Sequence, residues 1–371
     1  MRRRTFLRTG SAALVGASFW QTELRAALRR DHLDAAADVL STATLRGQVA
    51  ASVLHVAQDQ QTFTRAYGLA QDENAMFLLG SISKPICVTA LMTLYDQGAL
   101  KLDDPVKKFI PEYTGDGRDG TTIQNLLTHT TGLPDQLPEN AALRKAHAPL
   151  SEFVAHTVRT PLGFAPGTKY QYSSMAILLA CRIAEIIAKK DFRALMDEAV
   201  FRPLGMTRSA QGLGKFKREE MIQVQTEIAA PESGGGDPSA KDWDWNSQYW
   251  RALGAPWGGM HCSAPDIAKY LAELLDARGK CVKPETARLM TTNRNPAGIT
   301  SRGLGLDVGL AAGSSGCSAK TFGHSGSTGT LCWADPETRT ICVVLTTLPR
   351  QAAKGPHPRA LAAEQVAAAA R

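Results

Sequence analysis

No segment of the 371-residue sequence reaches the roughly 18 consecutive apolar residues that a membrane-crossing helix needs, so no stable membrane span is expected. The eight histidines never recur at a ligand spacing such as His-x-x-x-His, and the seven cysteines include no Cys-x-x-Cys pair. Neither a metal centre nor a dithiol redox site is therefore expected, and no cofactor is implied. The Gly-x-Ser-x-Gly elbow of the α/β-hydrolases is missing. Gly303-Leu304-Gly305 continues to Gly309, one residue too late for a dinucleotide loop, and opens no helix. Positive charge is scarce outside the leader: the first 30 residues hold seven arginines and one glutamate, +6 of the formal +7. The remainder is nearly neutral, which argues against nucleic acid as a partner. Aromatics make up only 6%, yet four of the six tryptophans (Trp243, Trp245, Trp250, Trp257) crowd into 15 residues. Such a cluster either packs an irregular loop or walls a substrate pocket.

What is present reads as an ordinary globular chain, 44% hydrophobic and 21% charged, long enough for several domains or one large domain carrying an insertion. Residues 1–30 look like a leader. Arg2-Arg3-Arg4-Thr5-Phe6-Leu7-Arg8 has a twin-arginine pattern, and a short apolar run follows from Ser11 to Trp20. Export to the periplasm or the medium is the expectation. Val15-Gly16-Ala17 offers a cleavage position without fixing it. Most cysteines should be small buried hydrophobes. Cys332 and Cys342 flank an expected turn, where a bridge would demand strict geometry.

Residues 48–56 and 62–69 are β-rich runs around Gln58-Asp59-Gln60-Gln61, a hairpin pattern. Further strands are expected at 305–310, 329–334 and 339–346, the last two joined by Asp335-Pro336-Glu337-Thr338. Helical patterns occupy 31–40, 122–127, 151–158, 175–189, 192–200, 265–275 and the alanine-rich 360–369. Strands at both chain ends with helices between them predict an α/β (α+β) architecture: an antiparallel sheet flanked by helices, built from 31–97 and 258–371. A mostly helical domain, 98–257, would be inserted in it.

Three stretches carry chemistry. In Leu78-Leu79-Gly80-Ser81-Ile82-Ser83-Lys84-Pro85, Ser81 and Lys84 are three apart, so a helix starting there stacks them on one face. Pro85 suits a first helical turn, and Ile86 to Leu94 is apolar on nearly every side, as in a buried helix. Helix dipole and burial both disfavour a charged lysine, and a neutral amine can take a serine's proton. The alternative is a capping serine followed by a surface lysine. Tyr172, after Pro166-Gly167 and before an apolar helix, is a candidate base if a cation favours its ionised phenol; otherwise it is a packing residue. Gly323-His324-Ser325-Gly326-Ser327-Thr328-Gly329 lets a substrate approach the backbone. His324 is a candidate to orient the substrate, and the N–H groups of Ser81 and Ser327 are candidates for an oxyanion hole.

Taken together and in this order, the stretches resemble the serine β-lactamase and penicillin-binding-protein superfamily, in the branch of class C β-lactamases, D,D-peptidases and related carboxylesterases. Its Ser-x-x-Lys, Tyr-x-Asn and Lys-Thr-Gly elements correspond to Ser81-Ile82-Ser83-Lys84, Tyr172-Ser173-Ser174 and His324-Ser325-Gly326. Leu127-Thr128-His129-Thr130-Thr131-Gly132-Leu133-Pro134 and Gly258-Gly259-Met260 before Ser263-Ala264-Pro265-Asp266 are similar to supporting segments. The resemblance implies a β-lactamase/transpeptidase-like fold. It also implies an acyl-enzyme on Ser81, with Lys84 and Tyr172 taking the proton and Tyr172 returning as base at deacylation. It departs twice. Histidine replaces lysine in the third element, removing a fixed charge that helps bind the carboxylate of a β-lactam. Ser174 replaces the asparagine whose amide meets the lysine and the substrate's acylamide. The first expectation is a carboxylesterase of broad acyl specificity, and the second a hydrolase of β-lactams or D-amino-acid cell-wall peptides; the substrate in either case is a small-molecule ester, amide or β-lactam. A binding protein without turnover on the same fold is the reading from another class.

Overall fold

The computed structural model describes residues 28–353 and 355–371; all but the last three residues of the expected leader lie outside them. The expected hairpin forms from β1 (Ala51–Gln58) and β2 (Gln61–Gly68), with Asp59 in the left-handed region of a two-residue turn. It begins a six-stranded antiparallel sheet that also holds β6 (Asp307–Val308), β7 (Phe322–Gly326), β8 (Thr330–Asp335) and β9 (Thr340–Thr346). The order is β2-β1-β9-β8-β7-β6, so the two chain ends meet where β1 pairs with β9. A second, three-stranded sheet, β3 (Phe77–Leu78), β5 (Met260–Cys262) and β4 (Ser209–Gln211), lies beside the start of the Ser83–Asp96 helix.

Side-chain alternation divides the large sheet between two cores. Val53, Cys332, Ala334, Val343 and Leu345 join the larger one, which also takes Ile86 and Leu91 of the Ser83–Asp96 helix and Ile267 and Leu271 of the Ala264–Asp276 helix. Leu54, Val56, Trp333, Cys342 and Val344 face the opposite way. There Arg30–Leu45 and the alanine-rich Pro358–Ala369 cover them through Leu33, Leu40, Ala362 and Val366. Because helices cover both faces, β1 and β9 read as near-continuous apolar runs rather than clean alternation. The register also settles the bridge considered above. Cys332 stands opposite Val343 and Cys342 opposite Trp333, so the two thiols sit on opposite faces, and all seven cysteines are free.

Residues 98–257 contribute no strand to the large sheet; apart from β4 their regular structure is helix, with Ile123–Thr128, Leu150–Thr157 and Ser174–Ala188 near the expected positions, and long stretches between the helices are irregular. Thr122 caps the first of these in a reciprocal pair with Asn125. The larger core continues into this segment through Ile123, Leu126, Ile177 and Leu179. The strand expected at 305–310 shrinks to β6, because Gly305 and Gly309 both adopt left-handed φ and break the extended run at either end. Among the described residues no helix is long and apolar enough to cross a membrane.

Candidate active site

The chain leaves β3 through a single turn of 3₁₀ helix, Gly80–Ile82, and runs directly into the Ser83–Asp96 helix, with Pro85 at its third position. The Thr328 and Thr330 hydroxyls, beyond the end of β7, donate to the carbonyls of Leu78 and Leu79 at 2.7 and 2.6 Å. The approach is close enough to require glycine on both sides. A β-carbon on Gly326 would fall 2.0 Å from the Leu79 oxygen, and one on Gly80, at φ +57°, 3.1 Å from the Ser327 nitrogen. The Ser327 backbone is thereby brought against Gly80, the residue before Ser81.

Lys84 is 1% exposed, and its Nζ lies 2.9 Å from both Ser81 Oγ and the Trp257 carbonyl oxygen. Burial, opposed by Asp135 and assisted by Arg302, pulls its pKa from 10.5 to about 7. A neutral Lys84 can donate to Trp257 and still offer Ser81 its lone pair. The stacking expected from the sequence is therefore present.

Tyr172 closes the third side. The Lys84 Nζ stands 4.7 Å and the Arg302 guanidinium carbon 5.5 Å from its ring centre. Burial dominates over the opposing Arg302 cation and holds the phenol well above its ordinary pKa. The resting side chain is a neutral phenol, not the tyrosinate considered above. Ser81 is near enough to pull that pKa down, yet the buried Tyr172 hydroxyl makes no hydrogen bond of good geometry. The segment carrying it is held by His129, whose carbonyl accepts from Gln171 N–H at 3.0 Å and whose Nδ1 accepts from Ser173 N–H at 3.2 Å. Between these bonds the His129 ring packs 4.6 Å from the Tyr172 ring.

The remaining expected residues line the same cavity of about 450 Å³, but two are engaged differently from the expectation. Nε2 of His324 accepts from Arg302 at 2.8 Å. A guanidinium only donates, so Nδ1 carries the proton and donates to the Ser325 carbonyl at 2.8 Å. Burial, then Arg302 and Lys84, hold this imidazole neutral. Neither ring nitrogen is left for a substrate. The Ser174 hydroxyl donates to Asp135 Oδ1 at 2.6 Å, whereas the Lys84 amine bonds Ser81 and Trp257. Ser325, Gly326 and Ser327 lie along the cavity edge.

Sequence reasoning missed two charged neighbours. Arg302, 3% exposed at its side chain, pairs with Asp307, donates to His324 and lines the cavity, so a buried cation stands next to the third motif. Asp135 reaches the cavity from the loop after Pro134. Trp245, Trp250 and Trp257 form a stretch of the cavity wall with residues 230, 232 and 233, whereas Trp243 is buried outside the lining. That wall is tied down by the buried Arg144, which donates to the carbonyls of Glu232, Ser233 and Trp243 and lies 4.0 Å from the Trp250 ring centre. No group of three or more His, Cys, Asp or Glu side chains among the described residues is arranged to hold a metal.

Comparison with known proteins agrees with this architecture. The family model described as Beta-lactamase matches residues 29–367. Esterase EstB of Burkholderia gladioli is 34% identical over 206 residues, 49% of this chain and 52% of EstB, so the match spans about half of that relative. A putative D-alanyl-D-alanine carboxypeptidase of Escherichia coli (strain K12) is 26% identical over 362 residues, covering 84% of this chain and 81% of the relative. Two solved structures share the fold. A penicillin-binding protein homolog from Caulobacter crescentus has a TM-score of 0.74 at 18% identity, over 93% of this chain and 99% of that one. The D-amino acid amidase of Ochrobactrum anthropi SV3 has a TM-score of 0.73 at 20% identity, over 91% and 99%. With the family match extending from the first helix into the last, this chain belongs to the Beta-lactamase family and is a serine hydrolase.

Proposed function

We propose that the protein is a carboxylesterase of broad acyl specificity working through an acyl-enzyme on Ser81. The observation that carries this reading is the 2.9 Å approach of a buried Lys84, with its pKa near 7, to Ser81 beside a tryptophan-walled cavity. The Ser81 proton passes to the neutral Lys84 as Oγ bonds the substrate carbonyl carbon. The resulting oxyanion rests against the N–H groups of Ser81 and Ser327. When the tetrahedral intermediate collapses, the leaving alkoxide or amine takes a proton from the Tyr172 phenol, which regains one from the Lys84 ammonium. Water then attacks the ester carbonyl, giving a proton to Lys84 with Tyr172 as relay, and Ser81 leaves with its hydrogen restored.

The carboxypeptidase relatives, matched over most of their length, support a second reading: hydrolysis of β-lactams or D-amino-acid peptides. Turnover of p-nitrophenyl butyrate and of nitrocefin separates the two. The esterase reading expects the first to exceed the second by orders of magnitude, and the reverse order refutes it. A chain that takes neither substrate and is not acylated is the binding protein without turnover. The leader motif supports export as part of this proposal. Fusing residues 1–30 to a reporter that must fold before translocation tests it, and a reporter retained in the cytoplasm speaks against it.

A further inference from the structure

In the family, the third residue of the tyrosine motif is an asparagine that meets the substrate; this chain places a carboxylate at that side of the cavity instead. Ser174 donates to Asp135 Oδ1 twice, from its N–H at 2.9 Å and from its hydroxyl at 2.6 Å. These bonds fix the carboxylate at the start of the Ser174–Ala188 helix, on the cavity wall. Among the described residues Oδ2 receives no hydrogen bond. An asparagine amide both donates and accepts, whereas an ionised carboxylate only accepts, so a substrate group set against Asp135 must bring hydrogens. It also repels the acylamide carbonyl that an asparagine would welcome.

The rest of the wall suits the same chemistry. Glu232 adds a second exposed carboxylate, and Trp245, Trp250 and Trp257 supply aromatic surface that tolerates an organic cation. The buried cations nearby are already committed. Arg144 is spent on three backbone carbonyls, and Arg302 on Asp307 and His324. Arg350 is the exposed exception, and its backbone follows the Ser327 edge, with its N–H donating to the Ser327 carbonyl at 2.9 Å.

We propose that Asp135 is a specificity-determining residue that selects acyl groups carrying a protonated amine, so that aminoacyl esters and amides are the preferred substrates. This rests on the acyl-enzyme reading above and narrows its substrate class. The test uses isosteric p-nitrophenyl esters in which an ammonium replaces a methyl group: alaninate against isobutyrate, and β-alaninate against butyrate, at pH 7. In the unaltered protein at least one pair should favour the ammonium ester in kcat/KM by about tenfold or more, the usual scale of a charge-assisted hydrogen bond. Asp135→Asn keeps an acceptor for both Ser174 donors and replaces the outer oxygen with a donor. It should reduce that preference about tenfold. The preference is a ratio within one protein, so any effect of the substitution on Lys84 cancels. Labelling by a fluorophosphonate is measured alongside. A labelled protein with no preference for either ammonium ester, or a preference unchanged in Asp135→Asn, overturns this inference alone. An unlabelled parent protein overturns the acyl-enzyme reading and this inference with it.

Discussion

Lys84 shows what the site demands of one residue. Its amine is useful only when neutral, so kcat/KM should climb with pH through an acid limb near 7; a limb near the ordinary lysine value of 10.5 contradicts the assignment. The same shift has a stability consequence. Between about 7 and 10.5 the unfolded chain holds a proton that the folded chain has released, so this group makes stability rise with pH across that window. Its cost is present in full below about 7 and is relieved above 10.5. Lys84→Met should therefore be inactive yet more stable than its parent at pH 7, by up to a few kcal/mol less the bond given to Trp257. That margin should shrink by pH 9.5, as urea unfolding at the two pH values would register. Tyr172→Phe should remain folded and lose about 10²- to 10⁴-fold in rate, the range for a lost proton-transfer group; a fully active variant removes the phenol from the mechanism. Ser81 and Lys84 were legible in the sequence because helical spacing is local. Asp135 and Arg302 were not. A lone charge in a loop carries no period, and only the fold brings each to the cavity.

At the scale of elements, two contacts place the chemistry, and both depend on backbone geometry. The loop before Pro134 holds the tyrosine segment from Gly163 to Ser174 through backbone bonds from Gly163 to Gly132, Gly167 to Thr130 and Gln171 to His129. This is the physical content of the histidine segment, which in the sequence shows only a resemblance to a supporting segment. His129→Ala should lower kcat far more than it raises KM, because it frees Tyr172 while leaving the tryptophan wall intact; a change confined to KM contradicts the clamp. The end of β7 against the nucleophile turn is the second contact. Gly326→Ala puts a methyl 2.0 Å from the Leu79 oxygen, so the strand must withdraw, taking the Ser327 N–H with it. A loss of about 1–3 kcal/mol in stability with at least a tenfold fall in kcat is expected from melting curves and turnover. The long strands and helices were legible because each repeats its pattern over several residues. The strands of the small sheet, two or three residues each, are too short to show a period, although β5 sets the height of the Ser81 turn through Leu79 N–H donating to Met260 O at 2.9 Å.

Over the whole molecule, the chain ends complete both the sheet and the site. Arg359, in the last helix and 6% exposed, reaches through to the carbonyl oxygens of Gly326 and Thr330, the two ends of the turn that carries Ser327. Arg359→Met should leave these acceptors unsatisfied and cost about 2–4 kcal/mol by urea unfolding, with turnover falling in parallel; an unchanged midpoint contradicts the link. Catalysis depends on three distant segments meeting so that one hydroxyl becomes a nucleophile. Peptide mass spectrometry after treatment with a fluorophosphonate tests it most directly. One adduct is expected, on Ser81, absent from Ser81→Ala and from the unfolded chain. An adduct on another residue, or none on the folded protein, contradicts it.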